Sequence, residues 1–170
     1  GENGFRQVSN SKRAVTTPAD LKGMKFRVVG SPLFIETFTA LGANPTQMSW
    51  ADTTAGLASG AVDGQENPLS IFVAAKLQNV NQKFVTLWNY MNDPLIVVVN
   101  KDVWSSWTPA DREIVRQAAV DAAKQQIELA RKPLKQTVID LGVGVSELTS
   151  AQTAEFVKLK HGMRLQKFDH

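Results

Sequence analysis

At 170 residues, with 43% hydrophobic and 21% charged side chains, the chain is long enough for one domain with a proper core and is not of disordered composition. A net charge of +3, from 19 basic and 16 acidic residues with no basic run, argues against nucleic acid as a partner. There is no cysteine, which excludes disulfides, thiolate catalysis and cysteine-ligated zinc. The two histidines, His161 and His170, lie at the C-terminal end, so there is no material for a histidine triad or a multi-histidine metal site, and no cofactor is expected.

In chain order the pattern alternates. GENGFRQ is not a signal peptide, and Phe5 to Ser9 reads as a short strand. TPADLKG (17–23) predicts a capped helical turn, with Thr17 as cap, Pro18 at the first helical position and Gly23 as stop. MKFRVV (24–29) alternates and predicts a strand, Pro32 to Leu41 a helix closed by Gly42, and PTQMSW (45–50) a strand ending at Trp50. Asp52 to Ser59 predicts a helix capped by Asp52; QEN then fills a loop before a helix over Leu69 to Leu77. Phe84 to Leu87 and Leu95 to Asn100 predict strands. The second contains the longest apolar run, Leu95 to Val99, which is strand-sized and far short of the roughly 20 residues of a membrane span. Thr108 and Pro109 open a long helix to about Lys132, with an apolar stripe of Ile114, Val115, Ala118, Ala122 and Ile127. Pro133 interrupts it. Lys135 to Leu141 is a further helix, 143–148 a strand, and Ala151 to Lys160 the last helix.

Alternating strands and helices predict an α/β fold with a parallel-rich sheet, and such sheets bind ligands beyond the carboxyl ends of their strands. Arg27 lies near the end of its strand, so it is either a solvent-facing strand residue or a planar fork for a carboxylate. Arg6 is a second candidate beside the same two readings. Asn67 offers a donor and an acceptor and is also placed to cap the helix that follows. Glu66 could accept a ligand hydroxyl or ammonium, or hold an arginine in place. Trp50 is either core or the wall of a pocket. No GxGxxG, P-loop, GxSxG or HExxH motif occurs, and the acidic residues form no metal motif.

Three stretches, NGFRQVSNSKRAVTTPADLKGMKFRVVGSPLF, ALGANPTQMSWADTTAGLASGAVDGQENPLS and NDPLIVVVNKDVW, cover most of residues 3–107. In this order they resemble the DctP-type solute-binding proteins of tripartite ATP-independent periplasmic (TRAP) transporters. The resemblance implies a periplasmic, two-lobed α/β protein that closes on an organic acid and hands it to membrane permease subunits. It implies that Arg27 salt-bridges the ligand carboxylate, that Asn67 hydrogen-bonds it, that Trp50 lines the pocket, and that Arg6 approaches the same carboxylate in some members. It further implies that DGQENPLS (63–70) is a helix cap and ligand clamp in one loop, with Glu66 and Asn67 facing the cleft. Residues 1–94 would form most of the carboxylate-binding lobe and 95–132 a strand and connecting helix. Residues 133–170 would return to the lobe, and the first lobe would be largely missing from this chain. Apolar surface left exposed in this way would invite pairing with a second copy. Two readings compete with this one: an enzyme, a lyase or isomerase acting on a small carboxylic acid, and a structural or interaction domain. Against the enzyme stands the absence of a nucleophile paired with a base.

Overall fold

A computed structural model describes residues 1–161; His170 lies outside them. The elements are β1 (Glu2–Phe5), β2 (Gln7–Asn10), β3 (Lys25–Val28), α1 (Pro32–Ala40), β4 (Asn44–Gln47), α2 (Trp50–Ser59), β5 (Gly64–Asn67), α3 (Leu69–Ala74), β6 (Phe84–Leu87), β7 (Asn92–Pro94), α4 (Lys101–Ser106), α5 (Pro109–Ala130), α6 (Lys135–Asp140), β8 (Gly144–Glu147) and α7 (Ser150–His161). Short 3-10 turns occupy Pro18–Leu21, capped by Thr17 as its sequence predicts, and Leu77–Val80.

Six strands form one mixed sheet in the order β4-β3-β5-β2-β6-β8. The β3–β4, β3–β5 and β6–β8 pairs are parallel, whereas β2 runs antiparallel to both β5 and β6. Five strands therefore point one way and β2 alone points the other. The carboxyl ends of β3, β4 and β5 share an edge with the amino end of β2, and this edge carries the polar residues discussed below.

Period-2 alternation divides the core between two faces. Phe26 and Val28 of β3 join Val8, Phe38, Trp88 and Phe156 in one cluster; Leu57, Val62, Phe72, Val85 and Val138 build the other. The first cluster is rich in rings, with Phe26 stacked on Phe38 at 5.1 Å between centroids and Trp88 stacked on Tyr90 at 4.4 Å. Gly64 is where this face meets the backbone. A Cβ there would lie 2.4 Å from the Ser9 carbonyl oxygen and 2.8 Å from the Phe26 ring, so the strand admits no side chain at that point.

Several elements differ from their sequence-based expectations. QEN is no loop: it lies in β5, a strand paired on both sides. Its polar side chains look out of place by hydropathy, but each has hydrogen-bond partners: Asn67 bonds Gln65, Gln65 bonds Ser9 of β2, and Glu66 accepts from Arg6 and Tyr90. Trp50 is the first residue of α2, capped by Ser49 rather than Asp52, because the Ser49 hydroxyl accepts from the Asp52 N–H. The Phe5–Ser9 strand is two strands, broken at Arg6. Residues 95–100 form no strand. A strand needs a neighbour for its backbone groups, and among the described residues none lies beside 96–99, where Ile96 and Val98 are about four-fifths exposed (79% and 82%).

β1 and β7 pair antiparallel as a separate two-stranded ribbon, and α5 packs on it. Gln126 of α5 clamps the backbone of Glu2, donating to its carbonyl at 2.5 Å and accepting from its N–H at 2.9 Å, while Arg131 ion-pairs with the Glu2 carboxylate. α5 runs 22 residues from its Thr108 cap and stops before Pro133, as expected, yet no residue on it is buried. Of its apolar stripe, Ile114, Ala118 and Ala122 are exposed and Val115 and Ile127 half-buried, and the 95–99 run is exposed as well.

Candidate functional site

The shared edge of β3, β4, β5 and β2 opens on a cleft of about 270 Å³. Arg27, Trp50, Asn67 and Arg6 all line it, with Val29 and Ile71 as apolar walls and Asn3 and Asp93 on the ribbon side. Strand register brings Arg27 and Asn67 together. Arg27 pairs with Gln65 across the parallel β3–β5 ladder, so Asn67, two residues on, projects from the same face. Arg6 arrives by a different route. It precedes β2, whose reversed direction places the amino end of that strand beside the carboxyl ends of its neighbours.

Arg27 is buried and nearly uncommitted. Its Nε donates to the Met48 carbonyl at 2.9 Å, its guanidinium lies 5.5 Å from the centroid of the half-exposed Trp50 ring, and its terminal nitrogens have no protein acceptor among the described residues. Burial lowers its pKa, the neighbouring Glu66 opposes that, and Arg6 adds to it. The result is a desolvated cation held in a fixed orientation, which is how a protein prepares a fork for an anion.

Arg6 is instead nearly saturated. Its Nε donates to Glu66 Oε2, its Nη2 to Glu66 Oε1 at 2.9 Å, to the Glu66 carbonyl at 2.9 Å and to Asn67 Oδ1 at 3.1 Å, and its Nη1 to Asp93 Oδ2 at 2.5 Å. Burial pulls its pKa down, but Glu66, Tyr90 and Asp93 together raise it and the net direction is up. Glu66 is fully buried on the opposite face of β5 from Asn67, since neighbouring residues of a strand alternate. The expectation that both face the cleft therefore needs correcting. Of the two roles Glu66 was given, the geometry matches the second, a residue that holds an arginine. Tyr90 also donates to it, at 2.6 Å. Burial pushes the Glu66 carboxyl up against the pull of Arg6 and Tyr90, yet every hydrogen bond it makes is accepted, which is the geometry of a carboxylate.

Behind Asn67 runs a buried chain of side-chain hydrogen bonds. Asn67 Nδ2 donates to Gln65 Oε1 at 2.7 Å, Gln65 Nε2 to Ser9 Oγ at 2.8 Å, Ser9 Oγ to Gln82 Oε1 at 2.8 Å, and Gln82 Nε2 to the Asp63 carbonyl at 3.3 Å. With Arg6 on its oxygen and Gln65 on its nitrogen, the Asn67 amide can point only one way, and one of its two N–H groups is left for the cleft. Each link is worth about 0.5–1.5 kcal/mol when made and more when left unmade, so the chain acts as a unit that orients Asn67.

Sequence reasoning passed over Asp93 and Tyr90. The only signal for Asp93 was a carboxylate in NDP just ahead of an apolar run, and Tyr90 carries no local signal at all. Trp50 depends on its cap. Removing it with Ser49→Ala should cost about 1 kcal/mol of stability, read as a lower urea midpoint; a shift below a few tenths would mean the Ser49–Asp52 contact does not hold the helix start.

Across residues 1–162 the chain matches the family model described as bacterial extracellular solute-binding protein, family 7, DctP. The chain belongs to the DctP family of solute-binding proteins. Among solved structures similar to it is a TRAP periplasmic solute-binding protein from Ralstonia eutropha with bound (S)-2-acetolactate. It is 65% identical with a TM-score of 0.93, over 95% of this chain and 54% of that one. The 2,3-diketo-L-gulonate-binding periplasmic protein YiaO of Escherichia coli is 39% identical over 82% of this chain and 42% of its own length. The C4-dicarboxylate-binding periplasmic protein DctP of Vibrio cholerae is 33% identical over 91% of this chain and 47% of its own. The DctP chain described here thus spans about half the length of these relatives. They are solute-binding proteins of transport systems rather than enzymes, which sets the lyase or isomerase reading aside. Among the described residues no helix is long and apolar enough to cross a membrane, in keeping with a periplasmic family.

Proposed function

We propose that this chain supplies the carboxylate-anchoring part of a TRAP solute-binding protein, which captures a small organic acid and delivers it to membrane permease subunits. The observation that carries the reading is Arg27. It is a buried guanidinium, oriented by Met48 and Trp50, whose terminal nitrogens lack a protein acceptor among the described residues, at the edge where parallel strands present their ligands. In this reading Arg27 forms the salt bridge to the ligand carboxylate, Asn67 donates its remaining N–H to it, and Trp50 walls the cleft. Arg6 is mainly spent on Glu66, Asn67 and Asp93, so it positions the others and offers at most one Nη1 hydrogen. Residues 1–94 with 133–161 then make up the anchoring lobe, and 95–132 lead away from it. The similar protein that holds (S)-2-acetolactate makes small oxygenated monocarboxylates the first ligands to try. The test is calorimetry of the full-length protein against such acids. Saturable binding that excess of one acid abolishes for another is the expected result, and no heat with any organic anion would overturn the reading.

A further inference from the structure

The cleft that presents Arg27 also contains a carboxylate. Asp93, on the ribbon strand β7, lines it with its side chain a quarter exposed (25%). Its Oδ2 is committed, accepting from Arg6 Nη1 at 2.5 Å and from Asn3 Nδ2 at 3.1 Å. Its Oδ1 accepts from nothing among the described residues, although a carboxylate offers about four acceptor sites. The charges are unevenly shared. Arg6 sits between two carboxylates, Glu66 and Asp93, while Arg27 is paired with neither. The cleft is therefore polarised, with a cationic fork at Arg27 and a surplus of negative charge, together with an open acceptor, at Asp93.

A ligand seated on Arg27 in so small a cleft meets Asp93 with whatever group it carries beyond its carboxylate. A hydroxyl would donate to Oδ1 in a charge-assisted hydrogen bond; a second carboxylate would face like charge, with Arg6 already shared between two carboxylates. We propose that Asp93 is a specificity residue: it reads a hydroxyl on the ligand and rejects a second carboxylate, so that the site selects hydroxylated monocarboxylates. The inference rests on Arg27 being the carboxylate anchor, and its test separates the two ideas.

The experiment is calorimetry of the full-length protein with 2-hydroxyisovalerate, isovalerate and 2-methylmalate. Wild type is expected to bind the hydroxy acid about ten- to a hundredfold more tightly than isovalerate, the range of one hydrogen bond to a charged group, and to bind the diacid weakly. Asp93→Ala should bring the two monoacids to within a few-fold of each other. Asp93→Asn keeps the shape and so guards against a folding defect, but its one oxygen is taken by Arg6 and Asn3 and its NH2 stands where Oδ1 was; it should weaken the hydroxyl preference and gain about tenfold for the diacid. An unchanged hydroxyl preference in Asp93→Ala, or unchanged rejection of the diacid in both variants, overturns the role of Asp93. If Arg27→Ala binds all three acids as wild type does, the anchor itself is wrong and the Asp93 assignment falls with it; if wild type binds none of them, the selectivity for hydroxylated monocarboxylates is overturned.

Discussion

Replacing Arg6 by methionine is expected to destabilise the fold by about 3–5 kcal/mol, the usual cost of removing one partner from a buried ion pair. Glu66 is fully buried, and its other side-chain partner is Tyr90, a single neutral donor, so without Arg6 its charge is stranded beside an aromatic cluster. Asp93 and the oxygen of Asn67 lose a donor at the same time. The loss should come from the stranded partner more than from the missing attraction, which a double-mutant cycle can separate. Glu66→Leu alone takes from Arg6 the more buried of its two carboxylate partners and leaves it Asp93. Arg6→Met with Glu66→Leu strands neither, and should recover a large share of the stability lost by the single variants. Urea unfolding midpoints and slopes of the four proteins provide the measurement. Additive losses in the double variant would mean that the two side chains are not coupled, and that Arg6 is free to serve the ligand directly.

The second large effect is expected in binding. Arg27→Ala should weaken a carboxylate ligand about ten- to a hundredfold, the equivalent of a charge-assisted hydrogen bond of about 1.5–3 kcal/mol, and Arg27→Lys should be almost as damaging. Lysine keeps the charge but has no Nε to hold on the Met48 carbonyl and no plane to lie against Trp50, so nothing would aim it into the cleft. Trp50 should matter as an orienting wall rather than as an anchor. Dissociation constants for one acid in wild type, Arg27→Lys and Arg27→Ala decide the matter. A lysine variant that binds like wild type would reduce Arg27 to a source of positive field, and an alanine variant that does so would remove it from the site. Both variants should leave the urea midpoint closer to wild type than Arg6→Met does, because among the described residues Arg27 makes one protein hydrogen bond where Arg6 makes several.

How far these residues could be read in advance depended on whether the determining physics was local. The caps at Thr17 and Thr108, the stop at Gly42, the break at Pro133 and the alternation of β3 are set by neighbours within a few positions, and each appears where the residues predict it. The placement of Arg27 at the carboxyl end of a parallel strand followed from the same local pattern together with a rule about α/β sheets. Three features did not follow. β5 was invisible as a strand because hydropathy reads QEN as a loop, and only pairing on both sides makes a polar strand stable. The run at 95–99 shows the converse: its composition is ideal for a central strand, but a strand is a relation between chains of backbone, and no partner lies beside it among the described residues. The site itself was decided last of all. That Glu66 is buried while the adjacent Asn67 reaches the cleft is a matter of which face each strand position meets. That Arg6 and Asp93, 87 positions apart, touch at all is a consequence of β2 running against its neighbours and of β1 pairing with β7. Sequence alone determined which side chains could hold an anion; the direction of one strand decided which of them is free to do so.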